Sequence, residues 1–276
     1  MAVKVVYTDI DGTMVGQAGS LFRGGDGAWT MEAATALVSA LSGGVDVVLV
    51  SGRNRRQLRE CGRIMGISNY ISELGAEMVY DQGREIVSLV RGWDDGKMSV
   101  YDAITASGAV DGLFKQFGDR LEYHTPWSND LRYYSHLLRG LVDLTEANNW
   151  LAEAGHLNLK LVDNGQLASR SENLNHLGSM HAYHLLPESV DKAGALRYDM
   201  KRRGFAPEEA IALGDSWADV ALAPAVGTFY LMKNGFDADP TLAGALTAHP
   251  NIVVTGREKS LGWADAIRDV LDPEND

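Results

Sequence analysis

VKVVYTDIDGT, spanning Val3 to Thr13, is the stretch on which the reading of the whole chain turns. Four of its first five residues are apolar or aromatic with a β-branched bias, the pattern of a central strand buried on both faces. Asp9 and Asp11 follow at once, separated by Ile10, and so fall at the strand's carboxyl end, where open α/β sheets bind their ligands. Alternation along the emerging strand turns both carboxylates to one side, across the pleat from Ile10. Gly12 lets the chain turn sharply there. Two carboxylates this close in a dry pocket repel each other unless a cation or a shared proton relieves them. The same tripeptide also suits a solvated turn after an edge strand, so partners elsewhere in the chain must decide between a site and a turn.

Outward from that strand, Met14 to Trp29 is glycine-rich and aperiodic, a loop beside the carboxylates. Thr30, Glu32 and an apolar stripe at Ala34, Leu37, Val38 and Leu41 predict a helix ended by Gly43-Gly44. VDVVLV (Val45 to Val50) reads as a second buried strand that delivers Ser51-Gly52-Arg53 to its carboxyl end. A helix over Asn54 to Met65 follows, closed by Gly66. Tyr70 to Glu73 predicts a short strand, and LGAEMVYDQGREIVSLV a hairpin turning at Gln82-Gly83. Strands alternating with helices imply an α/β fold with a doubly wound, Rossmann-like parallel sheet.

From about Gly92 the alternation is lost. Helices near Val100 to Ala106 and Glu146 to Ala154, and strands at Arg120 to His124 and Leu159 to Val162, predict an inserted, smaller α+β domain over 92–185, with a core over 1–91 and 186–276. The core pattern resumes at Val190 with a helix over Asp191 to Arg203 and a strand over Ala210 to Leu213 that ends at Gly214-Asp215-Ser216. Strands at Val226 to Met232 and Asn251 to Val254 and a helix at Ser260 to Leu271 complete it. There is no internal repeat and no low-complexity segment.

Composition bounds the partners. The chain has 276 residues, 45% hydrophobic and 22% charged, as in ordinary globular proteins, and a formal net charge of -12. That charge argues against a nucleic acid or an anionic membrane as partner, and the insertion offers no general basic surface. No apolar stretch approaches membrane-spanning length. With no secretory signal after Met1 and Cys61 as the single cysteine, a cytoplasmic setting is expected. Cys61, at helical spacing with Leu58 and Met65, reads as a packed small hydrophobe. Nothing in the sequence bears on oligomeric state.

Four signals stand at corresponding places, each just past a strand or at a helix start: Asp9-x-Asp11, Ser51, Lys192, and Asp215 with Asp219. Carboxyl ends of neighbouring parallel strands meet on one sheet edge, so together these describe a phosphate pocket. Mg²⁺ takes hard oxygen ligands and commonly keeps a substrate phosphate among them. Asp9 and Asp215 would bind it directly, the main-chain carbonyl of Asp11 would add a ligand, and Asp219 would hold a metal-bound water. Lys192, in the first turn of a helix, opposes the positive end of the helix dipole at a cost of about 0.3–1 kcal/mol unless an anion lies near. Ser51 and Gly52 offer a hydroxyl and free amides at the start of the next helix, a ready anion site. Arg53 suits either a substrate contact or a loop cap, and Asn234-Gly235 either the same sheet edge or a turn.

These four segments, YTDIDGT, VVLVSGR, VDKAGAL and IALGDSWAD in that order, resemble the four motifs of the haloacid dehalogenase superfamily. The insertion resembles, by position, the type II (C2B-like) cap of its sugar-phosphatase branch, which includes sucrose-phosphate and mannosyl-3-phosphoglycerate phosphatases. The resemblance implies a Mg²⁺-dependent phosphatase acting on a small phosphate ester, a sugar phosphate by preference. It implies Asp9 as the nucleophile that forms an aspartyl-phosphate and Asp11 as general acid and then base. Ser51, Gly52 and Lys192 would bind the phosphoryl group, and Asp9, Asp11, Asp215 and Asp219 would serve the metal site. One departure bears on the last motif: Ala218 stands where the family usually has Asn, which places a supporting hydrogen bond in question.

Ala218 and the acidic insertion also suit a non-catalytic relative that binds a phosphorylated metabolite or a protein partner, and the same site suits a phosphotransferase. His176, His181 and His184 fit no standard zinc spacing and read as surface or interdomain histidines. The tryptophans read as packing residues, and no G-x-S-x-G elbow is present. Arg132, Tyr133 and Arg170 are not separable from one another as leaving-group contacts.

Overall fold

The computed structural model describes residues 2–93, 98–167 and 171–271, so Arg170 lies outside the described residues. In chain order the core begins β1 (Val5–Thr8), α1 (Glu32–Ser42), β2 (Asp46–Val50), α2 (Arg55–Met65), β3 (Asn69–Ser72), β4 (Glu77–Tyr80) and β5 (Glu85–Ser88). A second group follows: α3 (Val100–Ala106), α4 (Ala109–Phe117), β6 (Leu121–Tyr123), β7 (His136–Gly140), α5 (Leu144–Glu153), β8 (Leu159–Gln166) and β9 (His181–Pro187). The chain then returns through α6 (Lys192–Arg203), β10 (Ala210–Gly214), α7 (Trp217–Val220), β11 (Thr228–Leu231), α8 (Lys233–Ala238), α9 (Ala243–Ala248), β12 (Ile252–Val254) and α10 (Lys259–Leu271).

The main sheet has the order β12-β11-β10-β1-β2-β3-β4-β5. It is parallel from β12 to β3, and β4 and β5 add antiparallel at one edge. Strand order reverses at β1, which pairs with β2 on one side and β10 on the other. A crevice outside the carboxyl ends is expected at such a switch point. Period-two alternation divides β1 between two cores. Val6 packs with Val47, Leu49, Leu37 of α1 and Trp263 and Ile267 of α10. Val5 and Tyr7 pack on the other face with Val48, Val50, Leu196 and Met200 of α6 and Phe229.

Local chemistry sets the helices that start at this edge. Asn54 caps α2 by accepting from the Gln57 amide at 2.9 Å, while the Gln57 side chain accepts from the Asn54 amide at 3.1 Å. Gly66, with φ 77°, ends that helix in the left-handed region. Asp191 caps α6 by accepting from the Gly194 amide at 2.5 Å, which makes Lys192 its first residue.

The smaller sheet, β6-β7-β9-β8, is antiparallel throughout. Tyr183 and Leu185 of β9 pack with Leu113, Phe117 and Leu151 of its helices, whereas Leu186 packs with Leu74, Ala76 and Val190 beside the main sheet. Alternation on β9 therefore turns His184 toward the core. β9 runs through Pro187, past the boundary expected at 185. The sequence reading also misses α4, β7, β9, α7, α8 and α9. β7 carries buried His136 and Arg139 and β9 carries buried His184, which breaks the apolar alternation that marks a strand. Among the described residues no helix is long and apolar enough to cross a membrane.

Trp263 is fully buried and its indole N–H donates to Thr8 Oγ at 2.9 Å, one residue before Asp9. Trp263→Ala is expected to lower unfolding free energy by about 3–5 kcal/mol, read by urea denaturation, because it opens a cavity under the central strand.

Candidate active site

The carboxyl end of β1 delivers Asp9, whose amide donates to the Leu213 carbonyl of β10 at 3.0 Å. Asp9 is buried. Gly12 has φ 88°, and a β-carbon there would overlap the Asp215 carboxylate, so only glycine lets the β1 loop and the β10 end approach so closely. The Asn234 side-chain amide, at the start of α8, donates to the Gly12 carbonyl at 2.9 Å and to Asp215 Oδ2 at 3.2 Å. Asn234 thus ties the two loops that carry Asp11 and Asp215.

Lys192 is 3% exposed. Its ammonium donates to Asp9 Oδ1 at 2.9 Å and to Asp219 Oδ1 at 2.6 Å. The other Asp219 oxygen accepts from the Ser216 hydroxyl at 2.6 Å and from the amides of Ser216 and Asp215 at 3.2 and 3.3 Å. Asp219 is therefore anchored through its own turn, with no hydrogen bond from residue 218 needed to hold it. These carboxylates explain why Lys192 tolerates a helix start.

Ser51 and Gly52 follow β2, the neighbour of β1, and Ser51 is buried. Its hydroxyl oxygen accepts from the Arg53 amide at 3.3 Å. The Arg53 guanidinium clasps the Asp11 carboxylate through Nε at 2.8 Å and Nη2 at 2.6 Å, and donates through Nη1 to Cys61 Sγ at 3.1 Å. Arg53 thus makes a contact other than the substrate contact or loop cap expected of it, a two-pronged link to Asp11. Asp11 faces solvent on its other side.

Carboxylate oxygens of Asp9, Asp215 and Asp219 lie within 4.8 Å of one another, while the Asp11 carboxylate is turned to Arg53. Three carboxylates against one ammonium leave two uncompensated negative charges in a buried place. Burial pushes Asp9 up to about 7, with Lys192 acting against it and Asp219 and Asp11 adding to it. Asp215 is raised well above its ordinary value by burial and by Asp9 and Asp219. Burial works against the Lys192 charge, but Asp219 and Asp9 outweigh it and hold that group above its ordinary value. The donor set is all hard oxygen and its excess charge is that of a divalent cation, so these residues fit Mg²⁺.

A second set of polar residues joins the smaller sheet to this edge. Glu73, just past β3 and fully buried, accepts from the amides of Tyr133, Tyr134 and Ser135 at 2.9, 3.2 and 2.9 Å and from the Ser135 hydroxyl at 2.8 Å. Arg132 Nη1 donates to the Gly52 carbonyl at 3.1 Å. A β-carbon on Gly52 would sit 2.6 Å from Asn164 Nδ2 and 2.8 Å from His184 Nε2. Sequence reasoning did not find Glu73, Ser135, Asn164 or His184 as site neighbours. Their only local signal is the polar interruption of apolar strands, which has no fixed spacing to a motif. His181 lies 2.7 Å from Asp163 and His176 3.5 Å from Asp119, away from this edge.

Residues 165–251 match the sequence profile of the haloacid dehalogenase-like hydrolases. The fold extends the likeness over the whole chain. A Thermoplasma acidophilum protein superposes with a TM-score of 0.65 at 15% identity, covering 98% of this chain and 99% of that one. A haloacid dehalogenase-like hydrolase from Bacteroides thetaiotaomicron gives 0.63 at 16%, covering 97% and 99%. The fold is that of the haloacid dehalogenase-like hydrolases, and the sequence profile of that family matches within residues 165–251. The sucrose-phosphatase of Synechocystis, solved with sucrose and phosphate, gives 0.63 at 15%, covering 98% of each chain. No curated protein matches by sequence. Within this haloacid dehalogenase-like fold the smaller sheet is the cap, and β6 to β9 lie between β5 and α6 of the core.

The raised carboxyl groups give a signed expectation. The folded chain holds protons that the unfolded chain releases between about pH 4 and pH 7, so metal-free stability falls as pH rises through that window. Added Mg²⁺ should therefore raise Tm clearly at about pH 8 and little at about pH 5, where Asp9 is protonated. Asp215→Asn should remove most of the gain. Thermal scans showing no Mg²⁺ effect at the higher pH would exclude the metal site.

Proposed function

We propose that this chain is a Mg²⁺-dependent phosphomonoesterase that cleaves a small phosphorylated metabolite, a sugar phosphate, through an aspartyl-phosphate on Asp9. The observation that carries the reading is the Asp9–Lys192–Asp219 contact at the switch point, with Asp215 beside it: a nucleophilic carboxylate, a fixed cation and a divalent-metal donor set in one buried place. Similarity in fold to a sucrose-phosphatase supports the sugar phosphate as substrate.

An Asp9 carboxylate oxygen attacks phosphorus, the bond from phosphorus to the ester oxygen breaks, and Asp11 gives its proton to the departing alkoxide. Asp11 then takes a proton from water, whose oxygen attacks the same phosphorus and releases Asp9 and inorganic phosphate. Lys192, the Ser51 hydroxyl and the Gly52 amide hold the equatorial oxygens, where charge spreads in the transition state. Arg53 fixes the direction of the Asp11 carboxylate. Asp9, Asp215 and the Asp11 carbonyl would hold Mg²⁺, with Asp219 behind them, and the bound ion supplies charge neutralisation. A cap closed over this edge excludes bulk water and admits only compact esters, which suits a small metabolite and not a polymer.

The wild-type chain with Mg²⁺ is expected to hydrolyse p-nitrophenyl phosphate. Asp9→Asn should abolish turnover, and Asp11→Ala should lower kcat by ~10²- to 10⁴-fold. Tight binding of phosphorylated metabolites with no turnover across a broad panel would instead establish a non-catalytic binder. Diversion of phosphate to added alcohols would establish a phosphotransferase.

A further inference from the structure

Between cap and core lies a chain of hydrogen bonds that the reaction does not use. All four groups that reach Glu73, three amides and the Ser135 hydroxyl, donate to it, so Glu73 acts as an acceptor-only carboxylate. The single hydroxyl proton of Ser135 is thereby committed to Glu73. Toward His184 Nδ1, 3.2 Å away, Ser135 Oγ can only accept, so Nδ1 carries the ring proton. Burial, reinforced by Arg132, Lys192 and His124, holds the His184 pKa well below its ordinary value, and the ring is neutral. His184 Nε2 is then a bare lone pair.

His184 is 1% exposed, and among the described residues its Nε2 has no hydrogen-bond partner. Arg132 is 4% exposed and shows the converse defect. Its Nη1 serves the Gly52 carbonyl at 3.1 Å and Ser135 Oγ at 3.4 Å, while its Nε–H has no partner among the described residues. His184, through its unused acceptor Nε2, and Arg132, which keeps an unused Nε–H beside the Nη1 that serves the carbonyl, thus both meet Gly52, one residue from Ser51. Buried polar atoms without partners are costly, and a ligand or a water that completes their bonding relieves that cost.

We propose that His184 and Arg132 form a hydroxyl-reading subsite for the leaving group, with Ser135 and Glu73 as positioning residues that set the His184 tautomer. A hydroxyl both donates and accepts, so adjacent hydroxyls of a neutral sugar satisfy both atoms at once. A carboxylate or second phosphate would suit Arg132 but press its lone pairs on His184 Nε2. An ammonium group would suit His184 but be repelled by Arg132, and an aryl group would serve neither. The subsite therefore selects polyhydroxylated, uncharged leaving groups over acidic ones such as glycerate. This inference rests on the phosphomonoesterase reading of the core and names the part of the ester that the cap inspects.

Two readouts test it. In ¹⁵N-histidine-labelled wild-type chain, long-range ¹H–¹⁵N spectra should show His184 as the Nδ1–H tautomer, with an Nε2 resonance that moves on addition of hexose phosphates but not of phenyl phosphate. Ser135→Ala should disturb that tautomer. In kinetics, His184→Phe should reduce kcat/KM for hexose phosphates about tenfold or more beyond any loss on p-nitrophenyl phosphate, chiefly through KM. An Nε2–H tautomer, an Nε2 resonance indifferent to every hexose phosphate, or equal kinetic losses on both esters would overturn the subsite. A wild-type chain that turned over no phosphate ester would overturn the phosphomonoesterase reading instead. The His184 resonance would then still answer by itself, a shift with hexoses supporting hydroxyl recognition and its absence refuting it.

Discussion

An ammonium group withdrawn from water is tenable only where anions replace its hydration, and Lys192 meets that condition by lying between Asp9 and Asp219. The reverse also holds. Asp9, Asp215 and Asp219 crowd one buried place, and Lys192 is the cation that begins to neutralise them. The pattern explains the cost of placing a lysine at a helix start, the glycines that let backbones close in around Asp215, and the use of Asn234 to brace two loops. Charge is only partly balanced, and the remainder equals in size the charge of one divalent cation.

The parallel sheet makes this concentration possible. β1 sits where the winding reverses, so the ends of β1, β2 and β10 and the start of α6 open on one crevice. Hydrophobic burial on both faces fixes these strands with little freedom to shift, and a carboxylate at the end of such a strand inherits that rigidity. The cap is joined differently. Glu73 collects three backbone amides and a hydroxyl from 133–135, a polar tie between two apolar cores. Such a tie specifies geometry, because each donor must find its acceptor, and it is easier to exchange than packed apolar surface.

Much of the core was legible in the residues. VKVVYTDIDGT and VDVVLVSGR combine an apolar run with polar residues at its end, and a parallel strand buried on both faces leaves that signature wherever it occurs. Capping chemistry marked α2 and α6 with similar clarity, through Asn54 and Gly66, and Asp191 and Gly204. The cap was less legible. β9, with the sequence HAYHLLP, alternates between the cap's own core and the main sheet, so both of its faces are buried and one of them is polar. Periodicity cannot separate that pattern from a loop, because the signal assumes that the buried face is the apolar one.

The sequence by itself determined the doubly wound core and the order of its four polar segments, since strand burial, helix caps and the residues just past each strand are written in neighbouring positions. Only the tertiary structure decided that Arg53 would clasp Asp11, that Asn234 would brace Asp215, and that His184 and Arg132 would bring an unused acceptor and an unused donor to Gly52. Those pairings join residues 19 to more than 100 positions apart in sequence, and hydrogen-bond direction depends on the whole set of partners each atom meets.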